Sequence, residues 1–307
     1  MTAIEIYSEQ IDVLGEGPLW SVSEQTLYWL DIARKTLLRK RASDATCQQR
    51  SLPDYPGCLA ELSPGSIAIA MGAGIQRLTF ETGEIDLLYL GPARRSGTRF
   101  NDGKVDPRGR FWVGTMQNNL RPDGESCAVD RQDGALYCFE SDGNVITIEE
   151  NIGIANTLAW SPDLKRFYFG DSLRGQIFRY DFDADTGIVG NKREFFAAAE
   201  RGVPDGSAID VDGCLWNARW DGGAILRITP EGQLDRVIEL PVPRPTSCIF
   251  GGPNFETLYV TSATCGLSAE QLEAFPLSGS VFAIEGVGQG MPVPPIVCNV
   301  HSKEDDT

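Results

Sequence analysis

Apolar and polar residues alternate in short runs along most of this chain. Runs such as 26–31 (TLYWLD), 110–114 (RFWVG) and 257–261 (TLYVT) are rich in aromatic and β-branched residues and bounded by turn formers, the pattern of strands. Only two windows carry a helical spacing, 268–275 (SAEQLEAF) and 195–201 (FFAAAER), and both are short. The strands also repeat. A turn followed by an aromatic or aliphatic pair recurs six times, at Leu27-Tyr28, Ile67-Ala68, Phe111-Trp112, Phe167-Tyr168, Leu215-Trp216 and Leu258-Tyr259, in steps of 40, 44, 56, 48 and 43 residues. Farther along most units comes a second kind of strand, as in 135–139 (ALYCF), 176–180 (QIFRY), 224–228 (AILRI) and 280–284 (SVFAI), often leading to an acidic or glycine turn.

Units of about 40 to 50 residues with four short strands each are what a β-propeller blade requires. The pattern predicts an all-β, six-bladed β-propeller, with residues 1–307 forming one domain that ends in a short polar tail. A β-sandwich or two small β domains fit less well, because the repeat runs through the chain and no Pro/Gly/Ser linker interrupts it.

Composition narrows the chemistry. The chain has 27 Lys and Arg against 43 Asp and Glu, a formal net charge of −16, and one histidine, His301, beside the C-terminus. A single tail histidine excludes Ser-His-Asp and Cys-His relays, three-histidine zinc sites and two-histidine iron sites. The acidity and the lack of basic clusters argue against a nucleic-acid partner. Eight scattered cysteines form no CxxC and fit reduced thiols better than a disulfide frame. Residues 1–10 carry no apolar stretch of signal-peptide length and no segment approaches about 18 continuous apolar residues, so the expectation is a soluble, cytoplasmic protein without membrane association. The oligomeric state is left open.

Carboxylates and carboxamides beside turn residues are the informative polar positions. Glu16 stands between glycines in 14–20 (LGEGPLW), Asn101 lies in 99–104 (RFNDGK), Asn156 in 153–157 (GIANT) and Asp205 in 203–207 (VPDGS). They precede the marker pair of their own blade by 11, 10, 11 and 10 residues. Singly, such Asp and Asn residues are most often turn formers. Four at one phase of four blades lie at similar depth and can aim at one centre. Oxygen donors without nitrogen or sulfur suit a hard or borderline divalent cation that keeps some water. Asp102 and Lys104 are expected to close a turn, 51–57 and 120–126 to form rim loops, and 181–185 to be a hairpin turn. Trp29, Trp112, Trp160, Trp216 and Trp220 are expected in the core between blades.

The stretches 14–20, 99–116 (RFNDGKVDPRGRFWVGTM), 153–172 (GIANTLAWSPDLKRFYFGDS), 204–216 (PDGSAIDVDGCLW) and 250–263 (FGGPNFETLYVTSA) resemble the family of regucalcin (senescence marker protein), gluconolactonases and related sugar lactonases. The resemblance implies a six-bladed propeller with one divalent metal ion in its channel, for which Ca, Zn, Mg, Mn and Fe(II) are all compatible. It implies Glu16, Asn156 and Asp205 as metal ligands, and Arg99 and Asn101 as the residues that hold a sugar lactone. Asp205 is then the candidate general base. The expected function is metal-dependent hydrolysis of an aldonolactone, such as a xylono-, arabinono-, glucono- or galactonolactone, to the aldonic acid. The alternative is a calcium-binding regulatory protein of the regucalcin type, and a purely scaffolding propeller ranks last. The chain departs from the family where Thr157 follows Asn156 in place of the common glycine. It departs again where Gln117, Asn118 and Asn119 follow the GTM triplet in place of acidic residues, a loop that bears on substrate choice.

Overall fold

The computed structural model describes residues 3–92, 95–121 and 126–299, so the polar tail with His301 lies outside the described residues. The strands form six four-stranded antiparallel sheets. Blades 1 to 5 begin with the strands Gly15–Ser21, Pro56–Ser63, Thr98–Val105, Ala155–Trp160 and Val203–Ile209, and each takes four successive strands in order. Blade 6 takes Pro245–Gly251, Thr257–Ser262 and Val281–Glu285, and its outermost strand is Ile4–Ser8 from the N-terminus, with Ile4 opposite Ile284. The first strand of each blade touches the first strands of its two neighbours, closing a ring of inner strands around a channel. The fold is a six-bladed β-propeller, and the paired N-terminal strand closes it.

All six marker pairs sit on the second strand of their blade, which is buried almost throughout. Outer strands such as Gln48–Ser51 and Val189–Ala197 face solvent and are polar. Trp29, Trp112 and Trp216 are fully buried, and each indole Nε1 donates to a carboxylate: Asp12 at 2.8 Å, Asp106 at 3.0 Å and Asp210 at 2.9 Å. Trp220 departs from the expectation of a place between blades: it is half-buried, with the Arg244 guanidinium 4.8 Å over its ring.

Residues 268–275 supply an α-helix, Ala269–Ala274, whose start is fixed by a capping box between Ser268 and Gln271. Residues 195–201 do not form the expected helix. The outer strand runs on to Ala197, with Phe196 opposite Ile177, and only Ala199–Arg201 make a 3-10 turn. Pairing with the neighbouring strand outweighs the helix propensity of the alanine run. All eight cysteines are free. Among the described residues no helix is long and apolar enough to cross a membrane.

Asp12 carries a pH dependence. Burial and the nearby Asp31 push its carboxyl up to about 8, and Oδ1 has no hydrogen-bond partner. Between roughly pH 4 and pH 8 the folded chain therefore holds a proton that the unfolded chain releases, so stability falls as pH rises through that window. Asp12→Asn keeps an acceptor for Trp29 and removes the charge. It is expected to melt close to the parent at pH 4 and to be more stable by a few kcal/mol at pH 9. An equal difference from the parent at both pH values contradicts this account.

Candidate metal centre

Strand pairing turns the sequence phase into geometry. The residues opposite the six markers are Trp20, Glu61, Val105, Trp160, Ile209 and Phe250. Four positions before each of these stand Glu16, Gly57, Asn101, Asn156, Asp205 and Thr246, one per blade in ring order. The sequence offsets of 10 and 11 thus describe one ring position, and the difference lies in the length of the hairpin that follows. Just after or at this position every inner strand carries one residue more than its partner, a β-bulge in each of the six blades. Bulges bend a strand and re-aim its side chains, and here they do so at one level of the channel.

The second strands hold this level in place. Asp31 accepts from the backbone N–H of Val13 (2.9 Å) and Leu14 (3.2 Å), and Asp171 accepts from Gly153 (3.0 Å) and Ile154 (3.1 Å). These are the residues three and two positions before Glu16 and Asn156. In blade 5 the same strand position is Arg219, fully buried, which donates to the carbonyls of Arg201 (3.0 Å) and Gly202 (2.7 Å) ahead of Asp205. Asp31, Asp171 and Arg219 escaped the sequence reading, although each lies four residues after the first residue of its marker pair.

A continuous set of hydrogen bonds joins the predicted site residues. Arg99 is clamped by Asn119 Oδ1, which accepts from Nε at 3.2 Å and Nη2 at 2.9 Å, while Nη1 donates to Phe100 O (2.9 Å) and Asn101 Oδ1 (2.8 Å). Asn101 Nδ2 donates to Ala155 O at 2.9 Å and Asn156 Oδ1 at 3.1 Å. Asn156 Nδ2 donates to Ser172 Oγ at 2.7 Å, and Ser172 in turn to Pro204 O at 2.6 Å. This chain fixes the Asn156 amide with its oxygen on the Asn101 side. Arg99, Asn101, Asn156 and Asp205 are all buried, and Glu16 keeps partial solvent access although protein surrounds it, as a side chain on the wall of a narrow channel does.

Asp102 and Lys104 are not in a turn. Both lie in the inner strand of blade 3 at its bulge, because the glycine between them relieves crowding between strands instead of reversing the chain: a Cβ on Gly103 would lie 2.5 Å from Cys58 Sγ. Asp102 accepts from Gly103 N at 2.8 Å, and Lys104 Nζ donates to Ser207 O. Burial followed by the charge of Asp102 raises the Glu16 carboxyl, and burial followed by Glu16 and Asp102 pushes Asp205 well up. Burial lowers Arg99 to about 10 and also lowers Lys104. Thr157 has φ +54°, a left-handed conformation that costs a β-branched residue on the order of 1–3 kcal/mol.

The donor set fits a divalent cation. Two carboxylates, the partly accessible Glu16 and the buried Asp205, repel one another, a cation between them relieves that repulsion, and the oriented Asn156 oxygen supplies a third donor. No group of three or more His, Cys, Asp or Glu able to hold a metal occurs among the described residues, so a carboxamide is needed to complete this set. A separate cavity of about 290 Å3 lies at the far end of the channel, lined by Lys104, Ala159, Ala208, Ile249 and residues 291–294, and is mostly apolar. At the site's own mouth Tyr55 Oη donates to Arg121 O at 2.7 Å, joining the two segments expected as rim loops; residues 122–125 lie outside the described residues.

Residues 14–264 match the SMP-30/Gluconolactonase/LRE-like region, a span that contains Glu16, Asn101, Asn156 and Asp205. The chain belongs to this family. Among its relatives, a 6-deoxy-6-sulfogluconolactonase of Pseudomonas putida is 38% identical over 276 residues, 89% of this chain and 91% of the relative. Regucalcin of Gallus gallus is 36% identical over 282 residues, 91% of this chain and 93% of the relative. In solved structures, the family is represented by a calcium-binding protein, regucalcin, from Agrobacterium tumefaciens, with a TM-score of 0.86 and 30% identity, covering 95% of this chain and 97% of that one.

Proposed function

We propose that this protein hydrolyses a sugar lactone, an aldonolactone of the xylono-, arabinono-, glucono- or galactono- type, to its aldonic acid, with one divalent cation held by Glu16, Asn156 and Asp205. The observation that carries the reading is the single ring level at which four blades present Glu16, Asn101, Asn156 and Asp205, with the Asn156 oxygen oriented by Ser172. Likeness over nine tenths of the chain to a protein named a sulfogluconolactonase supports it. Three protein oxygens are few for a closed calcium cage of six to eight ligands, which favours an open, water-bearing position over a purely regulatory calcium site.

When bound, the cation supplies Lewis acidity toward the lactone carbonyl and toward a water. Asp205 accepts the proton of the attacking water. Arg99 and Asn101 orient the lactone. Since both hydrogens of the Asn101 amide and four N–H groups of Arg99 are already committed, they serve as a rigid wall that a ligand meets ready-made. Water oxygen bonds to the acyl carbon, the ring C–O bond breaks, and the ring oxygen leaves as a hydroxyl on the aldonate. A surface with net charge −16 favours release of that anion.

The test is a pH-indicator assay of an aldonolactone panel with metal-stripped protein, with Ca, Mg, Mn, Zn and Fe(II) added back singly. Stripped protein is expected to be silent and at least one metal to restore turnover of at least one lactone. Silence toward the whole panel with every metal sinks the reading.

A further inference from the structure

We propose that Thr157 is a positioning residue that sets the height of Asp205 in the channel. The proposal rests on the lactonase reading for its consequence and on the following geometry for its substance. Thr157 is fully buried at the bulge of blade 4, directly after Asn156, in a left-handed conformation that glycine adopts freely and a β-branched residue does not. Its hydroxyl Oγ1 donates to the main-chain carbonyl of Asp205 at 2.5 Å, across to blade 5. The same oxygen accepts from Ser207 Oγ at 3.2 Å and Asn217 Nδ2 at 3.1 Å.

Asn217 completes a bracket. Its Nδ2 lies 3.0 Å from Asp205 O and 2.9 Å from Ser207 Oγ, and its Oδ1 accepts from Arg219 Nη1 at 2.9 Å, which fixes the orientation of the amide. The carbonyl of Asp205 is thus held by two donors, one from each of two blades. On the other side, Ser172 ties the Asn156 side chain to Pro204 O. Two straps therefore set the spacing of Asn156 and Asp205, one through Ser172 and one through Thr157. Room for the threonine comes from the facing strand: a Cβ at Gly170 would lie 2.9 Å from both Cβ and Oγ1 of Thr157. A strained conformation with a matching space opposite and a hydroxyl on the main chain of the general base is an arrangement for placing that base.

Three variants separate position from fold. Thr157→Gly relaxes the backbone and removes the hydroxyl, Thr157→Ala removes only the hydroxyl and methyl, and Thr157→Ser keeps the hydroxyl. Affinity for Mn2+, Ca2+ and Zn2+ is measured by calorimetry, kcat and KM on a turned-over lactone, and melting temperature on each metal-free protein. The Gly and Ala proteins are expected to bind the cation about 10-fold more weakly and to lose about 10-fold in kcat, with KM changed less than about threefold. The Ser protein is expected within about twofold of the parent, and the Gly protein to melt within a few degrees of it. Gly and Ala proteins within about twofold of the parent in both affinity and kcat overturn the proposal. If Asp205→Ala is inactive in that same series, the lactonase reading survives that failure. If Asp205→Ala also matches the parent, or the parent binds neither these three cations nor Mg2+ or Fe(II), the lactonase reading falls and the proposal with it.

Discussion

Replacing Asp205 by alanine is expected to lower kcat/KM on every sugar lactone by about 10^3-fold or more, because one change removes both a cation ligand and the proton acceptor. The fold is expected to survive. Asp205 sits among buried charges that favour its protonated form, with burial the main cause and Glu16 and Asp102 adding to it. A carboxyl raised in the folded state is a liability above its unfolded value, since the folded chain holds a proton that the unfolded chain gives up. The metal-free Asp205→Ala protein is therefore expected to melt at or above the metal-free parent at neutral and alkaline pH, while activity is lost. This is the pattern of a residue kept for function at the expense of stability. Steady-state kinetics and thermal melts on one preparation check both halves, and activity within a few-fold of the parent contradicts the assignment.

The second large effect is on stability. Asp171 is buried and accepts from the backbone N–H of Gly153, Ile154 and Leu173 and pairs with Arg174 at 3.3 Å. Asp171→Ala leaves three donors without their acceptor, two of them just ahead of the strand that carries Asn156 and the third, Leu173, just after Asp171 itself. The expected loss is on the order of 3–5 kcal/mol, which lowers the melting temperature of a chain of this length by roughly 5–8 °C. Arg174 contributes little to that figure, because its side chain is more than a third exposed and the pair is screened. A melting temperature within about 2 °C of the parent shows that the carboxylate does not hold the strand.

The repeat was legible because strand pattern and turn chemistry are local: six aromatic or aliphatic pairs mark six second strands without reference to anything distant. Glu16, Asn101, Asn156 and Asp205 were legible for the same reason, since each lies 10 or 11 residues ahead of its marker on the same hairpin. What supports them was not. Asp31 and Asp171 act on backbone 17 or 18 residues earlier in the chain, and Thr157 acts on a carbonyl 48 residues later. The Asp31 and Asp171 contacts form within one hairpin, where the direction of the side chain and not its spacing selects the partner, and the Thr157 contact forms only when neighbouring blades pack side by side. Asp102 and Lys104 read as a turn because Gly103 separates them, whereas the glycine serves close approach to Cys58. Phe195 and Phe196 read as the start of a helix because the alanines after them are good helix formers, yet the outer strand of blade 4 claims them through Ile177.

The central claim is that one cation at the Glu16, Asn156 and Asp205 level carries lactone hydrolysis. The most direct measurement titrates the restoring metal into a known concentration of stripped protein and follows lactone turnover in the same samples. Turnover is predicted to rise linearly and break at about one equivalent, with no activity before the first addition. Full turnover by the stripped protein in the presence of excess chelator contradicts it.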